Sequence, residues 1–400
     1  MAKEKEKTEL KKGVSKFEFV GKLKLNDFSF TLDKKSQKSD WIYNQAKLIV
    51  NAGNGNEVSC EVMGGYGSER KNVLYVCGKK LSDKSTPEKE VFVDDFENQY
   101  TIAWEDREDE AIIAEIGNSK FKRVGIEVDT EGKIVTQKFL SPYDMIKYIS
   151  ENKDKIDGKV VRVSGTVKYK VYNGNFQKVK EIDSIFISKV EEKDFKAEFT
   201  QTILIEKDSF GKKDKETGLF DVSAYVVENL KDYDGKDITV KNKKGKSVGR
   251  NIALPFMMYA ENEKLEKLFK VKRDTVTELA VIGNIIEGKA KSTVSYDDLD
   301  DDMKELIDMG AYDLETLAQT ISTKGERVSQ WIIQKPVVKM VGEGEEKTPQ
   351  ISRTEEKYTS DDLVMDFLNI EDDEFPFGEN EEEEDKKVEE TDLDDILNNL

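Results

Sequence analysis

The sequence predicts a mainly β protein with helical additions, an α+β chain of short strands that ends in an acidic tail. Three observations carry this expectation. Apolar side chains recur at every second position in runs between Lys16 and Val341, the period of half-buried strands. Asn/Gly-rich segments separate several of these runs, and Asn173-Gly174 is a favoured two-residue hairpin turn. Residues 355–400 hold 20 acidic and 3 basic side chains, so nearly all of the net charge of −19 lies in one terminal segment. That segment includes five consecutive acids, Glu381–Asp385, which repel one another and predict disorder.

Taken in order, residues 1–13 form a flexible charged arm. Phe17, Phe19, Leu23, Leu25, Phe28, Phe30 and Leu32 open the strand pattern. Ala46–Val50 and Glu57–Val62 follow, joined by a turn at Asn51–Asn56. Val73–Cys77, Tyr100–Trp104 and Phe121–Val128 add short strands, a spacing that suits a small barrel or sandwich. Leu140–Asn152 predicts a helix: Ser141 can cap it, Pro142 suits the first turn, and Met145, Ile146 and Ile149 share a face. Val160–Tyr172 alternates most strongly, with Gly165 as a bulge, and returns through Phe176–Val190. Strands are expected at Phe195–Ile205, Phe220–Val227, Ile238–Val240, Val276–Ile286 and Trp331–Val341, and helices over Pro255–Phe269 and Asp302–Ser322. From Gly342 the composition marks a linker, and no sequence repeat of fixed period is visible.

Composition excludes several function classes. The chain has no histidine, which removes every mechanism built on an imidazole base or ligand. Its two cysteines, Cys60 and Cys77, are too few for a disulfide scaffold and read as reduced thiols. The longest apolar stretches fall well short of a membrane span, and the Lys/Glu-rich first residues lack the apolar core of an export signal. Gly245-Lys246-Ser247 lacks the upstream glycine of a phosphate-binding loop, since Val240 occupies that place. Asp298, Asp300 and Asp302 open like a calcium loop, but Met303 and Met309 stand at the positions that need Gly and Glu. No catalytic set, cofactor motif or metal-ligand spacing survives, so the expectation is a cytoplasmic protein that is not an enzyme and takes no cofactor or metal.

Three groups of residues point to binding. In the hairpin, Lys168, Lys170 and Tyr172 share one strand face, and Phe176, Lys178 and Lys180 share a face of the return strand. Aromatic rings beside lysines suit a nucleic-acid single strand, with bases stacking on rings and phosphates meeting ammonium groups. Lys241, Lys243, Lys244, Lys246 and Arg250 form a basic loop within 159–291, a segment of net charge +6. Trp41 and Tyr43 share parity, and Tyr66 sits in Gly64-Gly-Tyr-Gly67, a segment expected to expose it as a loop. In the tail, Phe375, Pro376 and Phe377 follow acids, while Leu393, Ile396, Leu397 and Leu400 fall on one face of a short helix that could fold on a partner.

The strand pattern, the Lys/aromatic hairpin and the acidic tail with Asp373-Glu-Phe-Pro-Phe377 resemble the single-stranded DNA-binding proteins built on OB folds, and in length those of bacteriophages. The resemblance implies two OB-like barrels, at 14–139 and 140–341, then a linker and tail over 342–400. It implies sequence-independent binding of single-stranded DNA in replication, recombination and repair. It also implies a tail that competes for the DNA surface and recruits replication proteins, with room for self-association. The Pro-Phe motif lies internally here, whereas the family carries it at the chain end. The alternative is a viral scaffold protein or an RNA-binding OB protein, acting like the first reading in the host cytoplasm.

Overall fold

A computed structural model describes residues 10–26, 28–37, 39–67, 73–77, 99–116, 121–172, 175–215, 217–229, 251–289, 304, 307, 309, 327–342 and 347–363. The strands are β1 (Ser15–Lys24), β2 (Phe30–Lys35), β3 (Trp41–Asn51), β4 (Glu57–Gly67), β5 (Val73–Cys77), β6 (Gln99–Ala103), β7 (Lys122–Val128), β8 (Ile134–Phe139), β9 (Val160–Tyr172) and β10 (Asn175–Ile187). They continue as β11 (Lys196–Ile205), β12 (Phe210–Lys213), β13 (Phe220–Asn229), β14 (Asn251–Ala260), β15 (Thr275–Lys289), β16 (Arg327–Pro336), β17 (Val338–Val341), β18 (Thr348–Ile351) and β19 (Arg353–Thr359). Short helices include α1 (Glu110–Glu115) and α2 (Pro142–Glu151). Among the described residues, no helix is long and apolar enough to cross a membrane.

The strand pairing closes two rings. In the first, β1 pairs antiparallel with β3, β3 with β4, β4 runs parallel to β10 at Glu61–Glu181, β10 pairs with β9, and β9 returns to β1. In the second, β11 pairs with β13, β13 with β14, β14 runs parallel to β16, β16 pairs with β15, and β15 returns to β11. Each ring has the order 1-2-3-5-4 and closes on strand 1, the five-stranded Greek-key barrel of the OB fold. A helical segment lies between the third and fourth strands of both. In the first barrel it is α2, which Ser141 caps and which buries Met145, Ile146 and Ile149, as the sequence leads one to expect. In the second it is the 3-10 turn Glu263–Phe269, with Leu265 and Phe269 buried.

The barrels share their first strands. β1 and β11 pair antiparallel over Ser15–Val20 and Lys196–Gln201, and Phe17 lies opposite Phe199. Each of these two rings also lies opposite a glycine on the fourth strand of its own barrel, Gly165 and Gly283. A Cβ on Gly165 would stand 1.9 Å from the Glu181 carbonyl oxygen and 2.9 Å from the Phe17 ring. One on Gly283 would stand 2.0 Å from the Ile332 carbonyl oxygen and 2.7 Å from the Phe199 ring. A local two-fold axis thus passes between Phe17 and Phe199, and the chain is a structural repeat whose two halves are dissimilar in sequence. One apolar core runs through both barrels.

Several expectations need correction. The boundary at 139/140 does not separate the barrels, because the β9–β10 hairpin pairs with β1 and β4 and completes the first ring. Residues 255–260 are strand, not helix: Ile252, Leu254, Phe256, Met258 and Ala260 alternate into the core, and Pro255 is exposed on the outer face. The run Trp331–Val341 breaks at Val337 into β16 and β17. The expected linker contains β18 and β19; β19 pairs with β15, and Tyr358 and Leu363 bury against Leu10, Val227 and Ala253. Ile238–Val240 and nearly all of 302–322 lie outside the described residues.

Gly165→Ala or Gly283→Ala is expected to cost about 1–3 kcal/mol through overpacking, read as a lower Tm. Because the barrels share β1–β11, calorimetry should record one transition that shifts as a unit; two separate transitions would show that they fold independently.

Candidate nucleic-acid interface

On β3 the even positions Asn44, Ala46, Leu48 and Val50 point into the barrel, which leaves Trp41, Tyr43, Gln45 and Lys47 on the outer face. Directly opposite residues of an antiparallel pair share a face. Tyr43 faces Gly65 and Gln45 faces Met63 on β4, while Lys34 of β2 lies beside Tyr43. Met63 is 48% exposed. Trp41 and Tyr43 are half-buried, and neither ring packs against another ring among the described residues. Gly65 is required here, because a Cβ would stand 2.1 Å from the Ile42 carbonyl oxygen and 2.8 Å from Tyr43 Cβ. The result is an outer surface of two rings and a methionine edged by Lys34 and Lys47.

The same surface recurs in the second barrel. On β13 and β14 the outward pairs are Asp221–Tyr259, Ser223–Met257 and Tyr225–Pro255. Met257 is 53% exposed and Tyr259 half-buried. Tyr225 packs at the edge of the cluster formed by Leu10, Tyr358 and Leu363. Burial, together with the Glu206 carboxylate it hydrogen-bonds, pushes its hydroxyl pKa above the ordinary tyrosine value. Tyr225, Met257 and Tyr259 did not figure among the sequence candidates. Tyr225 was legible as an outward position of an alternating strand, but the other two were hidden by the helical reading of 255–269.

The hairpin lysines have protein partners. Lys168 pairs with Glu181 at 2.6 Å, and Lys122 reaches the same carboxylate at 3.2 Å. Burial pushes the Glu181 pKa up, yet the two ammonium groups outweigh it and hold the carboxyl below its usual range. Lys180 is buried and ion-paired with Glu287 of the second barrel. The Lys178 ammonium lies 4.1 Å above the Phe256 ring and 5.7 Å from Trp331. Tyr169 meets Phe256 edge-on and its hydroxyl donates to Gln201 at 3.0 Å. The register sets Lys168 opposite Val179 and Lys180 opposite Val167, so the expected single lysine face does not form: Lys168 lies on one side of the hairpin, and Lys178 and Lys180 lie on the other, which packs at the seam between the barrels. The side chains of Lys170, Tyr172 and Phe176 lie outside the described residues.

Tyr66 is on β4, not on a loop. Its ring stacks on Trp104 at 5.0 Å and meets Tyr143 edge-on at 5.5 Å. Arg107 lies 4.4 Å over Trp104 and holds Asp144 with two hydrogen bonds of 2.7 and 3.0 Å. Gly64 is bare because α2 docks against it: a Cβ would meet Pro142 and the Tyr143 amide at 2.7 Å. Tyr66 thus packs in an aromatic cluster with Trp104 and Tyr143 at the start of α2. Lys241, Lys243, Lys244, Lys246 and Arg250 lie outside the described residues, as do Phe375, Pro376, Phe377, Leu393, Ile396, Leu397 and Leu400.

A protein-family model described as YorF matches residues 102–300. No curated protein matches the chain. Among solved structures, the chain is similar to the wild-type single-stranded DNA binding protein from Thermus aquaticus, at 9% identity and a TM-score of 0.27, over 70% of this chain and 87% of that one. A deletion mutant of that protein gives 8% identity and a TM-score of 0.26, over 69% and 88%.

Although Lys178 is exposed as a residue, the desolvation of its ammonium over the Phe256 ring and the neighbouring Lys180 bring its pKa down to about 8. At pH 8 roughly half of its amine is neutral, against under 1% for an ordinary lysine near 10.4. An acylating reagent at that pH is expected to label Lys178 ahead of Lys34 and Lys47, as peptide mass spectrometry would read. Equal labelling of the three would rule the depressed pKa out.

Proposed function

We propose that the chain binds single-stranded DNA without sequence preference, on the outer faces of β3–β4 and β13–β14. The observation that carries this reading is the repetition: both barrels place aromatic side chains and an exposed methionine on the outer face of their second and third strands, Trp41, Tyr43 and Met63 in the first and Tyr259 and Met257, with Tyr225 packed at the edge, in the second, the face that OB folds use for oligonucleotides. Every base has a π face, so a row of rings holds any sequence. Lys34 and Lys47 stand beside the first row to meet phosphates. Binding of this kind is passive: the strand is kept from re-annealing, and no bond is made or broken. On this reading the protein serves replication, recombination and repair in the cytoplasm, and the acidic segment after Leu363 recruits partner proteins and competes for the DNA surface.

The test is an anisotropy titration of labelled oligo-dT with duplex competitor at several salt concentrations. Trp41→Ala, Tyr43→Ala and Tyr259→Ala should each weaken binding by about 1–3 kcal/mol, roughly 5- to 150-fold. Wild-type protein that fails to bind oligo-dT, or binds duplex equally well, would discard the reading. Removing residues 364–400 should tighten binding, most of all at low salt, and steepen its salt dependence, because salt weakens the competing tail as well as the DNA contacts; an unchanged affinity would sink the competition.

A further inference from the structure

On the far side of the first barrel from β3–β4, a cleft of about 340 Å³ opens over the seam where β1 meets β9 and β11. Both barrels line it, with Lys16 and Ser164 from the first and Thr200 from the second. Gly165 and Phe17 are among its lining residues.

The charges of the cleft are unequally spent. Its three acids already have cations: Glu18 pairs with Lys196 at 2.6 Å and Arg162 at 3.4 Å, Glu198 with the same Lys196 at 3.5 Å, and Asp183 with Lys122 at 2.7 Å. Its two basic lining residues, Lys16 and Arg123, are exposed and have no acidic partner among the described residues. The lining thus holds two basic and three acidic side chains; Lys196, Arg162 and Lys122 stand against the acids from outside it, Lys122 being shared with Glu181, and Lys16 and Arg123 are the cations left without an acid among the described residues. The hydroxyls add donors. Ser164 and Ser184 share one hydrogen bond at 2.7 Å, which uses one of their two hydroxyl protons. Unpaired cations beside free hydroxyl donors are the chemistry of a phosphate site.

We infer that this seam cleft binds a phosphate group of a nucleotide, held between Lys16 and Arg123 with hydroxyl donors from Ser164 or Ser184 and Thr200. The volume falls at the lower end of small-ligand pockets and suits one nucleotide unit. The polymer as source of that phosphate rests on the single-strand reading above; a free nucleotide does not. As a strand-binding site the cleft would add a second contact line, separate from the two stacking faces.

The experiment compares the full chain with the Lys16→Gln/Arg123→Gln variant, whose two side chains are exposed and whose fold is checked by its Tm. With oligo-dT the variant should bind about 3- to 30-fold more weakly at low salt. Its slope of log affinity against log salt should fall by about 1, and Arg123→Lys in place of Arg123→Gln should restore part of it. Tyr43→Ala should weaken binding with its slope unchanged. In a second arm, thymidine monophosphate should raise the Tm of the wild type and not of the double variant. If wild type binds oligo-dT and the double variant matches it in affinity and slope, the polymer does not use the cleft. If thymidine monophosphate also shifts neither protein, the site is overturned. If wild type fails to bind oligo-dT, the single-strand reading fails, and the thymidine monophosphate arm alone decides the cleft.

Discussion

Strand β1 is the constraint on which the remaining structure depends. Its backbone pairs with β9 along one side from Lys16 to Lys22. Along the other side it pairs with β11 over its first half and with β3 over its second. No edge of this strand is left to water, so its donors and acceptors are met only if both barrels are in place. Phe17 fixes the arrangement, because its ring stands beside Gly165 in one barrel and its backbone lies directly opposite Phe199 of the other. Separating the barrels would strip hydrogen bonds from β1 and β11 together and expose two long edges able to pair with other chains.

Charge follows the same logic. In a chain where 37% of residues are charged, many lysines act as cement between strands. Lys180 reaches across the seam to Glu287, and Glu287 in turn accepts from the Ser59 amide at 3.0 Å. Asn56 bonds the second barrel twice, donating to the Ile285 carbonyl at 2.8 Å and accepting from the Glu287 amide at 2.9 Å. A basic strand therefore does not define a binding groove by itself. What matters is whether an acid from another element has already claimed each cation.

This explains which features were legible in the sequence. The helix α2 could be read completely, because its cap, its proline and its apolar face are local. Most strands could be read from their alternation. β14 could not, since Pro255, Met257 and Tyr259 put apolar groups on the outer face as well and erase the period of two. Gly64–Gly67 reads as a loop because the reasons for Gly64 and Gly65, the docking of Pro142 and Tyr143 on one and the close approach of Ile42 and Tyr43 to the other, come from other elements of the fold. Closure at Glu61–Glu181 and the fate of the hairpin lysines are likewise non-local. Of the aromatic candidates, Trp41 and Tyr43 lie on the outer face of the first barrel, whereas the second face was found only once the repeat was visible.

The two-fold axis between Phe17 and Phe199 has a consequence for any ligand with a direction. Equivalent strands of the two barrels run oppositely where they meet, so a polynucleotide laid 5′ to 3′ over one barrel meets the other in the reverse sense. Contacts that read the sugar or one strand polarity cannot serve both barrels equally. Rings and thioethers can, because a base presents the same flat face whichever way its backbone runs. If the outer faces bind a single strand, the tyrosine and methionine that recur on both are the contacts able to serve it in either direction.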